Sequence, residues 1–135
     1  MSDHKTASLR WTGDERFEGT AGTVPIVLDG NVDGAPSPMD ALLASLGGCM
    51  GIDVAMILEK GRHDLQGLEL DLVGRRAEEP PRRFVACSLH FRVTGDVEEK
   101  VVQRAVDLSR DKYCSVMHSL APDTKIECTF EIVGG

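Results

Sequence analysis

The stretch from Ser37 to Gly61 constrains this chain more than any other, because it reads as one helix with apolar residues on nearly every side. Ser37 suits the N-cap and Pro38 the first helical position, where a missing N–H costs nothing. The helix should run to about Lys60, and Gly61 stands where a left-handed C-terminal cap is expected. At about 1.5 Å per residue it spans on the order of 34 Å, enough to cross a small domain. Leu42, Leu43, Leu46, Met50, Ile52, Val54, Met56 and Ile57 fan out in almost all directions, so burial all round is expected. One small sheet cannot cover such a helix, and a second copy of the chain is the expected cover. A membrane span is the wrong reading: Ala41 to Leu58 falls short of about 20 apolar residues. It also contains Asp53, and a carboxylate there costs roughly 2.5–3.5 kcal/mol on insertion.

The rest of the chain supplies strands. Ala7, Leu9 and Trp11 alternate with polar neighbours before a turn at Gly13-Asp14, and further short strands are expected around Arg16–Thr20 and Val24–Leu28. Asp29 to Pro36 is a loop by its Gly, Asp, Asn and Pro content. After the helix, Leu68, Leu70 and Leu72 alternate with Glu69 and Asp71, and Val85, Cys87, Leu89, Phe91 and Val93 share one face. A second helix is expected from Asp96, with Glu99 completing a capping box. Its stripe of Val97, Val101, Ala105 and Leu108 ends near Arg110. A short helical piece at Cys114–Leu120 and a last strand carrying Ile126, Cys128, Phe130 and Ile132 complete an α+β order. With 135 residues, one domain covering 1–135 is expected.

A formal charge of −7 argues against a nucleic-acid partner, whose phosphates demand a basic surface. The basic runs Gly74-Arg75-Arg76 and Pro81-Arg82-Arg83 are diluted by Glu78 and Glu79 and read as a solvated loop. Met1 to Ala7 is polar, so no signal peptide and a cytoplasmic location are expected. In that reducing compartment four cysteines do not imply a disulfide framework, and no C-x-x-C spacing suggests zinc.

Each cysteine is therefore judged by its surroundings. Cys87 and Cys128 lie in the apolar phase of their strands and read as inert core thiols. Cys49 follows Gly47-Gly48 inside the long helix, with Gly51 beyond. Each interior glycine costs about 0.8–1.0 kcal/mol relative to alanine, so something must come close to that backbone, either a crossing helix or a ligand. A passive thiol at a helix contact fits the pattern equally well. Cys114 is expected at the start of a short helix, where the N-terminus and neighbouring Lys112 would both lower its pKa. His118, four residues on, would share its helical face as a nucleophilic partner or as an ordinary structural histidine.

The run Ser37-Pro38-Met39-Asp40-Ala41-Leu42-Leu43-Ala44-Ser45-Leu46-Gly47-Gly48-Cys49-Met50-Gly51-Ile52-Asp53-Val54 resembles the central-helix motif of the OsmC/Ohr family of thiol peroxidases. Tyr113-Cys114-Ser115-Val116 resembles that family's second cysteine motif. The resemblance implies an OsmC-like fold: antiparallel sheets on a long central helix, in an intertwined homodimer with active sites at the interface. It implies a reactive Cys49 and a resolving Cys114, acting on hydroperoxides without metal or organic cofactor. A small dithiol or a dithiol protein would be the reductant. A thiol within an apolar helix needs a cation to ionise, and Arg16 matches the family's arginine, with Arg10 as an alternative. Asp53 should then pair with an arginine or lysine, since a bare carboxylate would oppose the thiolate. Gly48, Asp40 and His118 are supporting candidates. The organic-hydroperoxide branch has a glutamate directly after the helix-start proline; here that place is Met39 and the carboxylate is Asp40. That departure leaves room for a non-catalytic relative binding a small molecule in its interface cleft. A thiol hydrolase built on Cys114 and His118 lacks any recognisable orienting residue or oxyanion motif.

Overall fold

The fold is given by a computed structural model that describes residues 3–134. Its residues group into two compact units, Met1–Leu42 and Leu43–Gly135. The first is an antiparallel meander: β1 (Ala7–Gly13), β2 (Arg16–Ala21) and β3 (Val24–Asp29) pair in that order. Asp14 turns the first hairpin with φ 47°, a left-handed conformation that aspartate tolerates better than most residues. The polar loop after β3 leads to α1 (Pro38–Lys60), whose first turn ends this unit. Ser37 Oγ accepts the Asp40 N–H at 3.1 Å, the capping bond expected from the sequence.

The second unit contains the rest of α1, a three-stranded sheet and the remaining helices. Strands β4 (Asp64–Arg76), β5 (Phe84–Asp96) and β6 (Lys125–Val133) lie side by side with β5 in the middle. Gly74, Arg75 and Arg76 close β4 rather than forming a loop. β4 and β5 are antiparallel, but β5 and β6 run parallel, so this sheet is mixed rather than wholly antiparallel. A parallel pair needs a long crossover. It is made by α2 (Glu99–Leu108), a π-helical turn at Ser109–Tyr113 and α3 (Ser115–Ser119). α2 starts later than its sequence suggests: Asp96 stays in β5 opposite Asp64, and Glu98 stands at the N-cap without a side-chain bond.

The long helix is not buried all round within one chain. Leu46, Met50, Val54 and Leu58 recur every fourth residue and are at most 1% exposed. Each stabilises the unit by roughly 1.5–3 kcal/mol through burial. Ile52, at 64% exposed, and Met56, at 46%, stand bare on another side. The helix end also differs by one residue. Arg62, not Gly61, takes the left-handed conformation, with φ 59°. The Arg62 N–H reaches Glu59 O at 3.0 Å and the His63 N–H reaches Leu58 O at 3.1 Å, the bond pair of a Schellman cap. Gly61 is needed for closeness instead, since a Cβ there would lie 2.7 Å from the His63 ring.

Candidate functional site

The glycines of α1 explain how Cys49 is presented. A Cβ on Gly47 would fall 2.6 Å from Leu72 Cδ1, and one on Gly51 would lie 3.3 Å from Leu70 Cδ1. What approaches the helix is therefore β4, through its inward leucines, and neither a crossing helix nor a ligand is needed to account for these two. Gly48 is different: a Cβ there would meet nothing within 4 Å. It opens onto an apolar groove lined in part by Ile52, Met56, Leu68 and Leu70.

Cys49 is half-buried on this helix, and Asp53 follows one turn later on the same side. Cys114 arrives from the crossover. The π-helical turn closes through the Cys114 N–H and Ser109 O at 2.8 Å, and Cys114 then becomes the N-cap of α3 in an extended conformation. The result is a tight cluster: Cys49 Sγ, Cys114 Sγ and a carboxylate oxygen of Asp53 all lie within 4.8 Å of one another. Residues far apart in sequence are thus brought together by a helix face and a helix cap.

Burial pushes the Cys114 thiol up to about 11, and neighbouring Cys49 and Asp53 push in the same direction. The Met117 N–H, 3.3 Å from Cys114 Sγ, works against this without overcoming it. The lowering expected from a helix N-terminus and Lys112 is therefore outweighed by desolvation, and Cys114 keeps its proton at neutral pH. Lys112 is turned over the Tyr113 ring, with Nζ 5.3 Å from its centroid.

Asp53 also departs from expectation. Its partner is the hydroxyl of Ser109, which donates to Oδ2 at 2.8 Å, and no arginine or lysine pairs with it among the described residues. Ser109 is fully buried and had no motif to mark it; its position depends on the π-helical turn, which apolar periodicity does not reveal. His118 does not reach Cys114 Sγ as a catalytic partner would. Its Nδ1 lies 2.8 Å from the Cys114 backbone oxygen, a bond within the short helix.

Among the described residues, the remaining cysteines have neither a second sulfur nor a carboxylate in such a cluster. Cys87 is 2% exposed and burial raises its pKa. Cys128 is half-buried, and burial pushes it up to about 11. In the N-terminal unit, the Arg16 guanidinium is held by three acceptors. Nε donates to Glu18 at 3.1 Å, while Nη1 donates to Asp29 at 3.2 Å and to Asp33 O at 2.9 Å. The bonds to Glu18 and Asp29 raise its pKa further. Arg10 faces Glu18 across the β1–β2 pair and helps lower that carboxyl's pKa. Asp40 is exposed in the first turn of α1, where its charge suits the helix dipole.

Comparison with known proteins agrees with this architecture. Residues 30–129 match the family model described as OsmC-like protein. The chain is 45% identical over 130 residues to Protein YhfA of Escherichia coli strain K12, covering 94% of this chain and 97% of that one. A solved structure of a hypothetical protein from Aquifex aeolicus VF5 superposes with a TM-score of 0.91 at 30% identity, covering 99% of each chain. An organic hydroperoxide resistance protein OsmC from Legionella pneumophila gives 0.72 at 15% identity, over 95% of this chain and 96% of the other, a likeness of fold.

Proposed function

The chain belongs to the OsmC-like protein family, and on that footing we propose that it is a cysteine-based peroxidase for organic, and in part inorganic, hydroperoxides. The observation that carries this reading is the pair of sulfurs, Cys49 and Cys114, within 4.8 Å of each other beside a carboxylate. The Cys49 thiolate attacks the terminal oxygen of the hydroperoxide, the O–O bond breaks, and an alcohol leaves with Cys49 as sulfenic acid. Cys114 then attacks the sulfenic sulfur, water leaves, and a disulfide joins the two. A dithiol reductant restores both thiols. Cys114, whose proton is held by burial, gives that proton to the departing hydroxide as it attacks, completing the water that leaves.

Ionising Cys49 calls for a cation, and Arg16 is the one proposed. Glu18 and Asp29 orient its guanidinium, the task that the glutamate after the helix-start proline performs in the organic-hydroperoxide branch. Arg16→Ala should slow alkylation of Cys49 near neutral pH, read on protein shown to be folded by circular dichroism because the change also strips buried Asp29 of its ion pair; an unchanged rate–pH profile would remove Arg16 from the mechanism. The bare Ile52 and Met56 side of α1 supports a homodimer, in which a second copy covers that face. Light scattering at micromolar concentration should report twice the chain mass. The proposed setting is the reducing cytoplasm, in defence against oxidative stress.

The decisive experiment is treatment of reduced protein with a slight excess of cumene hydroperoxide followed by peptide mass spectrometry. The expected product is a Cys49–Cys114 disulfide within one chain, with Cys87 and Cys128 free. Should Cys49 remain reduced, the peroxidase reading fails. The apolar groove beside Gly48 would then favour a non-catalytic, small-molecule-binding protein.

A further inference from the structure

We propose that Cys49, Asp53 and Cys114 together bind a thiophilic divalent cation, zinc above all, and that metal binding and disulfide formation exclude each other. The site provides two sulfurs and one carboxylate oxygen within 4.8 Å of one another, on rigid elements. Two sulfurs each about 2.3 Å from a tetrahedral zinc lie roughly 3.8 Å apart, so rotamer adjustments of about an ångström or less close the site. Cys49 and Asp53 are one helical turn apart, a spacing that directs both side chains to one point. The third ligand comes from the Cys114 cap. Three protein ligands leave a fourth position for water.

Two further features belong to a metal site more than to a bare thiol pair. Ser109 Oγ donates to Asp53 Oδ2 at 2.8 Å, which orients the carboxylate and leaves Oδ1 available. Three groups that can each carry negative charge converge, yet no lysine or arginine pairs with Asp53 among the described residues. A divalent cation would satisfy that convergence. Sulfur with one carboxylate favours zinc over magnesium or calcium, which take all-oxygen shells. Binding releases the two thiol protons, so uptake should strengthen as pH rises.

The exclusion follows from distance and electron count. A disulfide holds its sulfurs about 2.05 Å apart and leaves neither able to act as a thiolate ligand. Oxidation removes two electrons from the two bound thiolates, forms the S–S bond and frees the cation. A thiol oxidant such as diamide takes up those electrons with two protons from solvent. Metal binding in turn shields Cys49 from electrophiles, making the site a switch between a zinc-bound and an oxidised state. This inference goes beyond the peroxidase reading and does not depend on it.

The test uses the full reduced chain, titrated with Zn²⁺ against a chromophoric chelator and followed by dialysis and elemental analysis. One zinc per chain is expected. Cys49→Ser and Asp53→Asn should each weaken binding tenfold or more, and Ser109→Ala by on the order of tenfold. Cys87→Ser and Cys128→Ser should leave it unchanged. Because a Cys114 variant could misfold, the unmutated protein provides a second measurement: one equivalent of Zn²⁺ should block alkylation of Cys49, and diamide-oxidised protein should take up none. Zinc retained by the Cys49→Ser and Asp53→Asn variants, or Cys49 alkylation indifferent to zinc, would overturn the proposal. Peroxide consumption without zinc uptake sinks this inference alone, and zinc uptake without peroxide consumption sinks the peroxidase reading alone.

Discussion

Cys87 and Cys128 lie on neighbouring strands of one sheet, where Cys87 stands opposite Ile126 and Cys128 opposite Leu89. Cys49 and Cys114 come from a helix and a helix cap, and yet it is these two that converge with a carboxylate. Acidity does not distinguish Cys114 from Cys128, because burial pushes both up to about 11. What differs is company. A sheet thiol set opposite an aliphatic residue has no second sulfur in such a cluster among the described residues, whereas a capping thiol set against a helix face has one within reach. Cys87 and Cys128 share a sheet face but sit on a diagonal, each opposite an aliphatic residue and not opposite each other, whereas Cys49 and Cys114 meet directly.

The largest expected effect would break the comparison outright. Cys49→Ser should abolish hydroperoxide consumption, whereas Cys87→Ser should leave the rate within about twofold, read by a coupled peroxide assay with a dithiol reductant. Equal losses in both variants would mean that the two regions do not differ in chemistry.

Stability against pH comes next, and here the regions should behave alike. The folded values of Cys114 and Cys128 are raised above the ordinary 9.0, so their protons are held more tightly when folded. Their stabilisation is complete below pH 9 and is lost as pH rises toward 11, because the unfolded chain ionises first. Reduced protein should lose on the order of 1–3 kcal/mol per thiol across that window, measured by denaturant titration. Cys114→Ala and Cys128→Ala should each flatten the decline. A stability curve level between pH 9 and 11 would contradict the burial of both.

Ser109→Ala sharpens the contrast from the helix side. It strips Asp53 of its hydrogen bond, and a hydrogen bond to a charged group is worth about 1.5–3 kcal/mol. Some of that is recovered by water, since Asp53 is half-buried, so a loss of about 1–2 kcal/mol is expected from urea denaturation.

Sequence patterning sets the elements well where one physical signal dominates. Ser37, Pro38 and the leucine run fix the start of α1, and period-two alternation marks β4, β5 and β6. It fails where competing energies are close. Nothing in the spacing of Val101, Ala105 and Leu108 announces a π-helical turn, yet that turn sets Ser109 against Asp53 and leads into the Cys114 cap. Arg62 bears the left-handed strain that glycine would bear more cheaply, because Gly61 is occupied in making room for His63. The glycines around Cys49 were legible as a demand for closeness, but only the register of β4 identifies Leu70 and Leu72 as what comes close. The cysteine pairing rested on likeness to a family and not on periodicity, since a contact between a helix face and a distant cap leaves no periodic trace.

The smallest expected effect concerns the sheet thiol itself. Burial dominates the raised pKa of Cys128, but the Arg110 charge pulls it down, while Asp107, Asp111 and Glu127 push it up. Arg110 holds Asp111 at 2.9 Å and Asp107 at 3.1 Å, so it also masks the two carboxylates that oppose the thiolate. Arg110→Gln removes the attraction and unmasks both repulsions, and all three changes raise the Cys128 pKa. Cys128 alkylation followed from pH 8 to 11 should shift to higher pH by a fraction of a unit, because these partners are partly solvated and screened. A downward shift of the Cys128 profile would show that its surroundings are not governed by this charge triad, and the electrostatic side of the comparison would have to be redrawn.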